Sequence, residues 1–384
     1  MKIHFLLAKD ILCGGGIEKY TREVGSRLVA RGHSVTVYTT SSGHKKPARL
    51  NGMQLIWIPQ FRPYWAEKPC GALFAALRSF AEPRPDILHL HSVAAGATAA
   101  FLNWRGVPCI VQMHGVEWKR SRWGYAGRFA LHALEKCAFQ FGDTFTAVSQ
   151  IECDDYQARY GVPVTYIPTA ADVKPPAHPD RLTQLDIKPG QYILFASRLV
   201  PEKGAHYLIK AFRELKTDCA LILAGAAPSE SQYIVELRSL ASGDPRIHFL
   251  GYVQGPLLDE LFSNARIFVQ PSEIEGLPIS LLEAMATGNL CIASDIPENL
   301  EALGGAGLSF RSRDSEDLAT RLRWALTNEN QTTDLRRLAV KRVSQQFSWE
   351  AVTDSLEQLY SSAINATSPA QCTSPIPATS YKRS

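Results

Sequence analysis

The stretch PSEIEGLPISLLEAMATGNLCIASD, residues 271–295, decides how the rest of the chain is interpreted. The apolar residues 265–270 before it predict a buried strand, and Leu290 to Ala293 predict the next one. Between them, Pro278 suits the first position of a helix and Gly288 the position just after its end. The sequence therefore predicts a strand–loop–helix–strand unit, whose loop is where a parallel α/β sheet binds a ligand.

Two carboxylates mark this unit, Glu275 in the loop and Glu283 inside the predicted helix. Glu283 is flanked by apolar residues, and a buried carboxylate needs a partner because its desolvation is costly. One alternative is a structural partner within the protein, such as a nearby Arg or a backbone N–H. The other is a ligand, because the helix N-terminus favours a phosphate and carboxylates accept hydrogen bonds from sugar and ribose hydroxyls.

The segment EGLPISLLEA, residues 275–284, resembles the E-x7-E motif of retaining, family 4-type glycosyltransferases (glycosyl transferases group 1), which have the GT-B fold. The resemblance implies that Glu275 lies beside the donor sugar and that Glu283 binds the ribose of the nucleotide. It also implies that the backbone of Gly276 and Leu277 contacts the sugar or its phosphate. The spacing alone is common by chance, so its weight depends on further matching segments.

The chain begins with a pattern of strand, glycine loop, helix and strand. Ile3 to Ala8 predicts a buried strand, and Gly14, Gly15 and Gly16 precede a helix that Gly32 ends. The glycines allow a ligand close to a helix N-terminus, although a plain tight turn is an equal alternative. The spacing is not G-x-G-x-x-G, which disfavours a dinucleotide site. By resemblance to the family, this loop faces the donor phosphate and the acceptor.

A further candidate follows the predicted strand Val107 to Met113, where His114 would stand at the carboxyl edge of the sheet. A lone histidine is more often structural, but HGVEWKR resembles the family segment whose His contacts the donor sugar. The next residues form a basic, aromatic loop. We interpret Trp118, Lys119 and Arg120 as an acceptor clamp, because aromatic rings stack on sugars and basic groups attract phosphates.

The segment SRLVPEKG places two cations, Arg198 and Lys203, around the start of a helix. They are unfavourable there without an anion, because a helix N-terminus is itself positive, and plain surface charge is the alternative. The segment resembles the family's R-x4-K element, in which both cations neutralise the departing diphosphate. The resemblance thus implies catalytic roles for His114, Arg198, Lys203 and Glu275, and donor binding by Gly15, Gly16, Arg198, Lys203, Glu275, Gly276, Leu277 and Glu283.

One departure from the family lies at the predicted end of the first domain. After Pro168 the family usually has Asn-Gly, whereas this chain has Thr169 and Ala170, and Asp172 keeps its place. The resemblance therefore does not determine the geometry of the loop between the domains.

The sequence predicts an α/β protein with two doubly wound, Rossmann-like domains facing a cleft, as the GT-B resemblance implies. Residues 1–172 would form the acceptor-side domain and residues 173–345 the nucleotide-sugar-binding domain. Residues 346–365 would form a helix that crosses back to the first domain. Residues 366–384 are rich in Ser, Thr and Pro and predict a disordered tail.

The charge of the 384-residue chain is unevenly distributed. Residues 1–172 contain 20 Lys/Arg and 13 Asp/Glu, which gives +7, whereas residues 173–384 contain 21 and 24, which gives −3. A basic first half suits an anionic partner, such as a membrane surface, a lipid-linked acceptor or an acidic glycan, and a solvated basic face is the alternative. The aromatic and basic segment 61–69 would suit a membrane interface, although packing on its own domain is favoured.

The eight cysteines include no C-x-x-C pair, which predicts reduced thiols and a cytoplasmic protein, with a place at the inner face of the membrane as an open alternative. The first residues do not form a signal peptide, and no run is long enough to span a bilayer. No D-x-D sequence occurs, and His89 and His91 lack the companions of a metal site, so we expect neither a metal nor a cofactor. Nothing indicates nucleic acid as a partner.

We therefore expect a retaining glycosyltransferase that moves a sugar from a nucleotide diphosphate sugar to a hydroxyl of a glycan or lipid-linked acceptor. Two alternatives remain open: a sugar-nucleotide epimerase or hydrolase on the same fold, and a non-catalytic subunit that binds nucleotide sugars. The sugar, the base and the acceptor are not determined by the sequence.

Overall fold

The computed structural model describes residues 1–7, 10–41, 43, 46–60, 64–79, 81–91, 98–99, 106–119, 123–226 and 232–367. Arg120 of the expected acceptor clamp and residues 61–63 of the aromatic segment lie outside the described residues. So does the predicted tail from residue 368 onward.

The first sheet, in the described part of the chain, has eight strands in the order β3-β4-β2-β1-β5-β6-β7-β8. Only the β3–β4 pair is antiparallel. Its parallel strands are apolar because helices cover both faces of the sheet. The strands are β1 (Lys2–Leu6), β2 (Ser34–Thr39), β3 (Arg49–Leu50), β4 (Met53–Trp57), β5 (Ile87–Leu90), β6 (Cys109–Met113), β7 (Thr144–Ala147) and β8 (Val164–Tyr166).

The second sheet has six described strands, all parallel, in the order β11-β10-β9-β12-β13-β14. This is the doubly wound order, in which the connections diverge between β9 and β12 and leave a crevice at their carboxyl ends. The first sheet has the corresponding reversal between β1 and β5. The predicted fold class is thus confirmed. The strands are β9 (Tyr192–Ala196), β10 (Ala220–Ala224), β11 (Ile247–Gly251), β12 (Ile267–Gln270), β13 (Leu290–Ser294) and β14 (Leu308–Phe310).

The α-helices cover both sheets, and short 3-10 turns occur at Glu117–Lys119 and Pro201–Lys203. The described helices of the first half are α1 (Gly16–Ala30), α2 (Tyr64–Ser79), α3 (Tyr125–Phe141) and α4 (Gln150–Tyr160). Those of the second half are α5 (Asp180–Gln184), α6 (Ala205–Arg213), α7 (Gln232–Ala241), α8 (Pro256–Asn264), α9 (Ile279–Ala286), α10 (Pro297–Leu303), α11 (Ser315–Thr327), α12 (Glu329–Gln346) and α13 (Trp349–Thr367).

The last helix, α13, packs on the first sheet although it follows the second one in sequence. Trp349, Leu356 and Tyr360 are at most 1% exposed and join the same apolar cluster as Ile3 and Phe5 of β1. This packing ties the end of the described chain to its beginning.

The segment between the two sheets is buried and connects both cores. Ala170 belongs to the apolar cluster of the first half and Ala171 to that of the second. The backbone N–H of Ala171 donates to the carbonyl of Phe347 at 3.0 Å, and Asp172 accepts from Arg27 at 2.9 Å. Ala170, where the family usually has Gly, therefore serves as a packed side chain.

Candidate active site

The crevice of the second sheet is formed by the loops that follow β9 and β12. Gly204 brings these loops together: a Cβ on this residue would lie 2.0 Å from the carbonyl oxygen of Pro271. Gly204 also has a φ of +71°, which glycine adopts without strain. The close approach places Lys203, at the end of the Pro201–Lys203 turn, beside the loop that carries Glu275.

Lys203 and Glu275 form an ion pair in this crevice. The Lys203 ammonium donates to Oε1 of Glu275 at 2.5 Å, and the two side chains are 13% and 8% exposed. The amide of Gln270 donates to the same oxygen at 2.7 Å. Burial raises the pKa of Glu275, but the charge and hydrogen bond of Lys203, with bonds from Ser272 and Gln270, outweigh it and hold that pKa below its ordinary value. Glu275 is therefore a carboxylate at neutral pH.

Arg198 lies on the loop directly after β9, at the entrance to the same crevice. Its side chain is exposed, and among the described residues no hydrogen bond or ion pair engages its guanidinium. The crevice thus contains one cation held by a carboxylate and a second cation that remains available to an anion.

The helix that carries Glu283 begins one residue later than the sequence predicted. Pro278 is the N-cap residue of α9 rather than its first residue, and no side chain caps this end. Gly288 has a φ of +77° just after the helix, in agreement with the prediction. The uncapped N-terminus of α9 leaves backbone N–H groups directed at the cleft, where they favour an anion.

Glu283 is not fully buried, contrary to our expectation, and its partner comes from the other half of the protein. Its side chain is 21% exposed, and Oε1 accepts a short hydrogen bond from the ammonium of Lys19 on α1. Both alternatives stay open for Glu283, because a carboxylate that has a protein partner can still accept bonds from a ligand.

The loop at Gly276 and Leu277 closes directly onto the first half of the protein. A Cβ on Gly276 would lie 2.9 Å from the carbonyl carbon of His114, so only glycine allows this approach. The hydroxyl of Thr169 donates to the carbonyl of Leu277 at 2.9 Å. Thr169, which departs from the family pattern, therefore bonds the loop that carries Glu275.

The glycine loop after β1 faces α9 across the cleft. Gly15 is the N-cap residue of α1 and provides no side-chain cap. A Cβ on Gly16 would lie 3.9 Å from Cδ1 of Ile279, the first residue of α9. Two helix N-termini, one from each half, therefore meet at the predicted donor site, and their positive ends together favour an anion. The carboxylate of Glu18 lies against Gly15.

His114 stands at the carboxyl end of β6, as predicted, within a group of histidines. Its Nε2 is 3.2 Å from Nδ1 of His91, whose ring stacks on His89 at 4.5 Å. Tyr20 packs edge-on against His114. Burial lowers the pKa of His91 to about 3 and also lowers the pKa of His89 well below its usual value. These two histidines are therefore neutral at physiological pH.

Trp118, expected to contact the acceptor, is engaged within its own domain. Its indole N–H donates to Glu135 at 3.2 Å, and its ring stacks on His132 at 4.6 Å. Lys119 is exposed beside it, with its ammonium 5.8 Å from the indole ring. The structure therefore gives Trp118 a structural contact, and Lys119 is the described residue of the proposed clamp that is open to solvent.

Sequence reasoning missed the contacts that join the two halves. Lys19 follows the glycine loop and was not identified, although its place one turn into α1 was a usable signal. Glu301 also crosses the cleft, since its carboxylate accepts the N–H of Gln150 at 2.9 Å. No sequence pattern pairs residues that lie more than a hundred positions apart. Among the described residues, no three His, Cys, Asp or Glu side chains are grouped so as to hold a metal ion.

Two family profiles match the chain in turn: Glycosyltransferase Family 4 over residues 14–174 and Glycosyl transferases group 1 over residues 183–342. Glycogen synthase from Mycobacterium tuberculosis is 24% identical over 387 residues, which cover 91% of each chain. Sucrose-phosphate synthase from Thermosynechococcus elongatus has a similar structure, with a TM-score of 0.81 at 21% identity over 95% of this chain and 99% of that one. The Anabaena protein HepE, solved with UDP and glucose, gives a TM-score of 0.78 at 18% identity over 94% and 100%.

The two doubly wound domains and the crevice between them are those of the GT-B fold, which the similar solved structures share. The two family matches then identify the chain. It belongs to the glycosyltransferases of the GT-B fold, as the sequence motifs indicated.

Proposed function

We propose that this protein is a retaining glycosyltransferase that moves a sugar from a nucleotide diphosphate sugar to a hydroxyl of a glycan or lipid-linked acceptor. The observation that carries the proposal is the pairing of Lys203 with Glu275 next to the available cation Arg198. A diphosphate needs cations, and a sugar needs a hydrogen-bond acceptor beside them. Both are present in one crevice.

The departing diphosphate would lie against Arg198, Lys203 and the N-termini of α1 and α9. Lys203 and the helix N-termini are fixed before the reaction, so they stabilise the charge that develops on the leaving group without reorganising, and Arg198, which no described residue pairs with, adds a second positive charge. Glu275 is ionised and would orient a sugar hydroxyl, while Glu283 would accept the ribose hydroxyls. His114 would complete the pocket around the donor sugar. Catalysis would consist mainly of positioning and charge stabilisation.

The acceptor would approach from the first half of the protein. Helix α2 supports a peripheral membrane contact there, because it buries the small residues Ala72, Ala75 and Ala76 and exposes the larger Leu73 and Leu77. Arg78 lies on the same exposed face. An exposed apolar face with a basic residue suits the boundary of an anionic membrane. In the described part of the chain, no helix is both long enough and apolar enough to cross a bilayer.

A donor screen tests the activity. Purified protein is incubated with UDP-, GDP-, ADP- and dTDP-sugars, with and without mixed glycan and lipid acceptors, and release of the nucleoside diphosphate is measured. We expect release from one donor that increases with acceptor. Release that ignores every acceptor would favour the hydrolase alternative, and isomerisation of the sugar without release would favour the epimerase. Binding of a donor without turnover would favour the non-catalytic subunit.

The stereochemistry is tested on the product of that screen. The coupling constant of the anomeric proton at the new glycosidic bond, measured by NMR, should show the configuration of the donor. The opposite configuration would refute retention while leaving the transferase assignment intact.

The membrane contact is tested by flotation with anionic and neutral vesicles. We expect binding to anionic vesicles that the double variant Leu73→Glu/Leu77→Glu reduces. Leu338→Glu is the matched control, since Leu338 is 50% exposed on α12 in the other half. Equal flotation of both variants would show that α2 does not contribute to the membrane contact.

A further inference from the structure

The ion pair between Lys19 and Glu283 is the feature of the cleft that the family motifs do not account for. The two residues are 264 positions apart, on α1 and α9, and their side chains are 29% and 21% exposed. A pair this exposed contributes at most about 1 kcal/mol to stability. Stability is therefore a weak reason for its presence at the donor site.

The pair is only half satisfied within the protein. The hydrogen bond uses Oε1 of Glu283, and among the described residues Oε2 has no hydrogen-bond donor. The ammonium of Lys19 has three N–H groups, and its other two bond no acceptor in the described part of the chain. One acceptor oxygen and two donor groups thus face the cleft side by side.

These free groups lie at a defined distance from the proposed diphosphate site. Lys19 is three residues beyond Gly16 and Glu283 is four beyond Ile279, so both lie about one helical turn, roughly 4.5 and 6 Å along the axis, from the helix ends. Gly16 and Ile279 are the residues at which those helix ends meet. A ligand that extends one turn from the diphosphate therefore reaches the ion pair.

We propose that Lys19 is a positioning residue for the nucleotide, and that residues of both domains together form the ribose site. It holds Glu283 with Oε2 free to accept a ribose hydroxyl, and it donates its remaining N–H groups to the ribose oxygens or the adjacent phosphate. Nucleotide affinity then depends on the two domains being closed, because the ammonium and the carboxylate come from opposite sides of the cleft. The inference rests on the proposed function and specifies which residues of the chain bind the donor.

Isothermal titration calorimetry with UDP, GDP, ADP and dTDP tests this inference. For the nucleotide that binds, we expect Lys19→Ala to raise the Kd about tenfold, as for the loss of a charge-assisted hydrogen bond. Glu283→Ala should raise it at least as much, and the double variant should raise it by less than the product of the two single increases, because the two residues act as a pair. Lys19→Arg should stay within about threefold of the wild type, because it keeps the charge and the donors.

Lys216→Ala is the matched control, because Lys216 is an exposed lysine outside the cleft, and it should leave the Kd unchanged. An unchanged Kd in Lys19→Ala would overturn the inference, as would tighter binding, which would make Lys19 a competitor of the nucleotide. Additive effects in the double variant would also overturn it. If the wild type binds none of the four nucleotides, the proposed function itself fails, and this outcome is distinct from the others.

Discussion

The carboxyl edges of the two sheets carry different kinds of side chain, charged in the second sheet and aromatic in the first. At the reversal of the second sheet, the loops carry charges that are held in ion pairs, with Lys203 and Glu275 as the central pair. At the same edge of the first sheet the side chains are aromatic: His91 follows β5, His114 follows β6, and Tyr20 lies on α1. His91 is buried and neutral. The topology thus decides where each crevice lies, and the side chains decide what each can do.

The difference indicates a division of labour within the cleft. The charged crevice is suited to hold and release a diphosphate, whose negative charge requires compensation. On the other side, the buried, neutral His89 and His91 lie behind His114, which we propose contacts the donor sugar. If this division is correct, changes on the two sides should have different consequences, for function on one side and for stability on the other.

The largest expected effect is on the charged side. Lys203→Ala should lower kcat/KM on the order of 10²- to 10³-fold, because it removes a cation from the diphosphate and leaves the buried Glu275 without its partner. Donor affinity measured by calorimetry should weaken strongly. The exposed Lys210→Ala on α6 is the control. Donor affinity equal to that of the wild type would refute the assignment of Lys203 to the phosphate.

On the side of the histidines, we expect an effect on how the free energy of unfolding depends on pH. Burial lowers the pKa of His91 from 6.5 to about 3, so the folded protein binds fewer protons than the unfolded chain in this range. The stability of the fold with a neutral His91 is fully present above about pH 7, and it decreases as the pH falls below 6.5. By pH 5 the loss is roughly 2 kcal/mol for one such histidine.

Chemical denaturation of wild type and His91→Gln between pH 7.5 and pH 5 measures this contribution. The free energy of unfolding should fall less steeply in the variant than in the wild type, whatever its stability at pH 7.5. His178→Gln is the control, since its ring is 82% exposed. If the free energy of unfolding fell equally steeply with pH in wild type and His91→Gln, His91 would not titrate as described.

The contact between the two sides is tested by Gly276→Ala. The added Cβ would meet backbone atoms of His114 and Gly115 at 2.9–3.0 Å, and backbone cannot move aside cheaply. We expect the domains to be held apart and kcat/KM to fall about tenfold, with the free energy of unfolding changed less. Gly124→Ala adds a Cβ in open space and should have little effect. Full activity of Gly276→Ala would show that the closed contact is not needed in turnover.

The smallest expected effect is that of Tyr360→Phe. The Tyr360 hydroxyl lies 2.6 Å from Nδ1 of the buried His89, and its removal should cost about 1–2 kcal/mol in the free energy of unfolding. Nucleotide affinity should not change, because α13 lies behind the histidines. Tyr125→Phe, at a tyrosine that is 94% exposed, should change neither quantity. A loss of nucleotide affinity in Tyr360→Phe would contradict the proposed separation between residues for function and residues for stability.

Much of the fold was predictable because it depends on local patterns. Apolar runs of four to six residues marked the strands, and Gly288 marked the end of α9 with a φ of +77°. The positions of Lys203, Glu275 and His114 at strand ends followed from the same patterns. Their roles in donor binding remain predictions, because they derive from the resemblance to the family and from geometry.

The contacts across the cleft could not be predicted in the same way. Lys19 meets Glu283, and Thr169 bonds the Leu277 carbonyl, only because the two domains close in one particular orientation. That orientation depends on packing along the whole interface and leaves no periodicity in the sequence. Trp118 is a related case: its aromatic, basic surroundings in the sequence suggested an acceptor contact, whereas its bond to Glu135 on α3 depends on packing, and the acceptor contact stays a prediction.

The position of α13 has a consequence for synthesis on the ribosome. The first sheet is complete in sequence by Tyr166, yet Trp349 and Tyr360 fill part of its core. At about 5–20 residues per second, the nascent first domain waits roughly ten to forty seconds for these side chains. During that interval the side chains that α13 will contact, among them Tyr20 and His89, lack these partners. The first domain therefore completes its core only after the whole second domain has been synthesised.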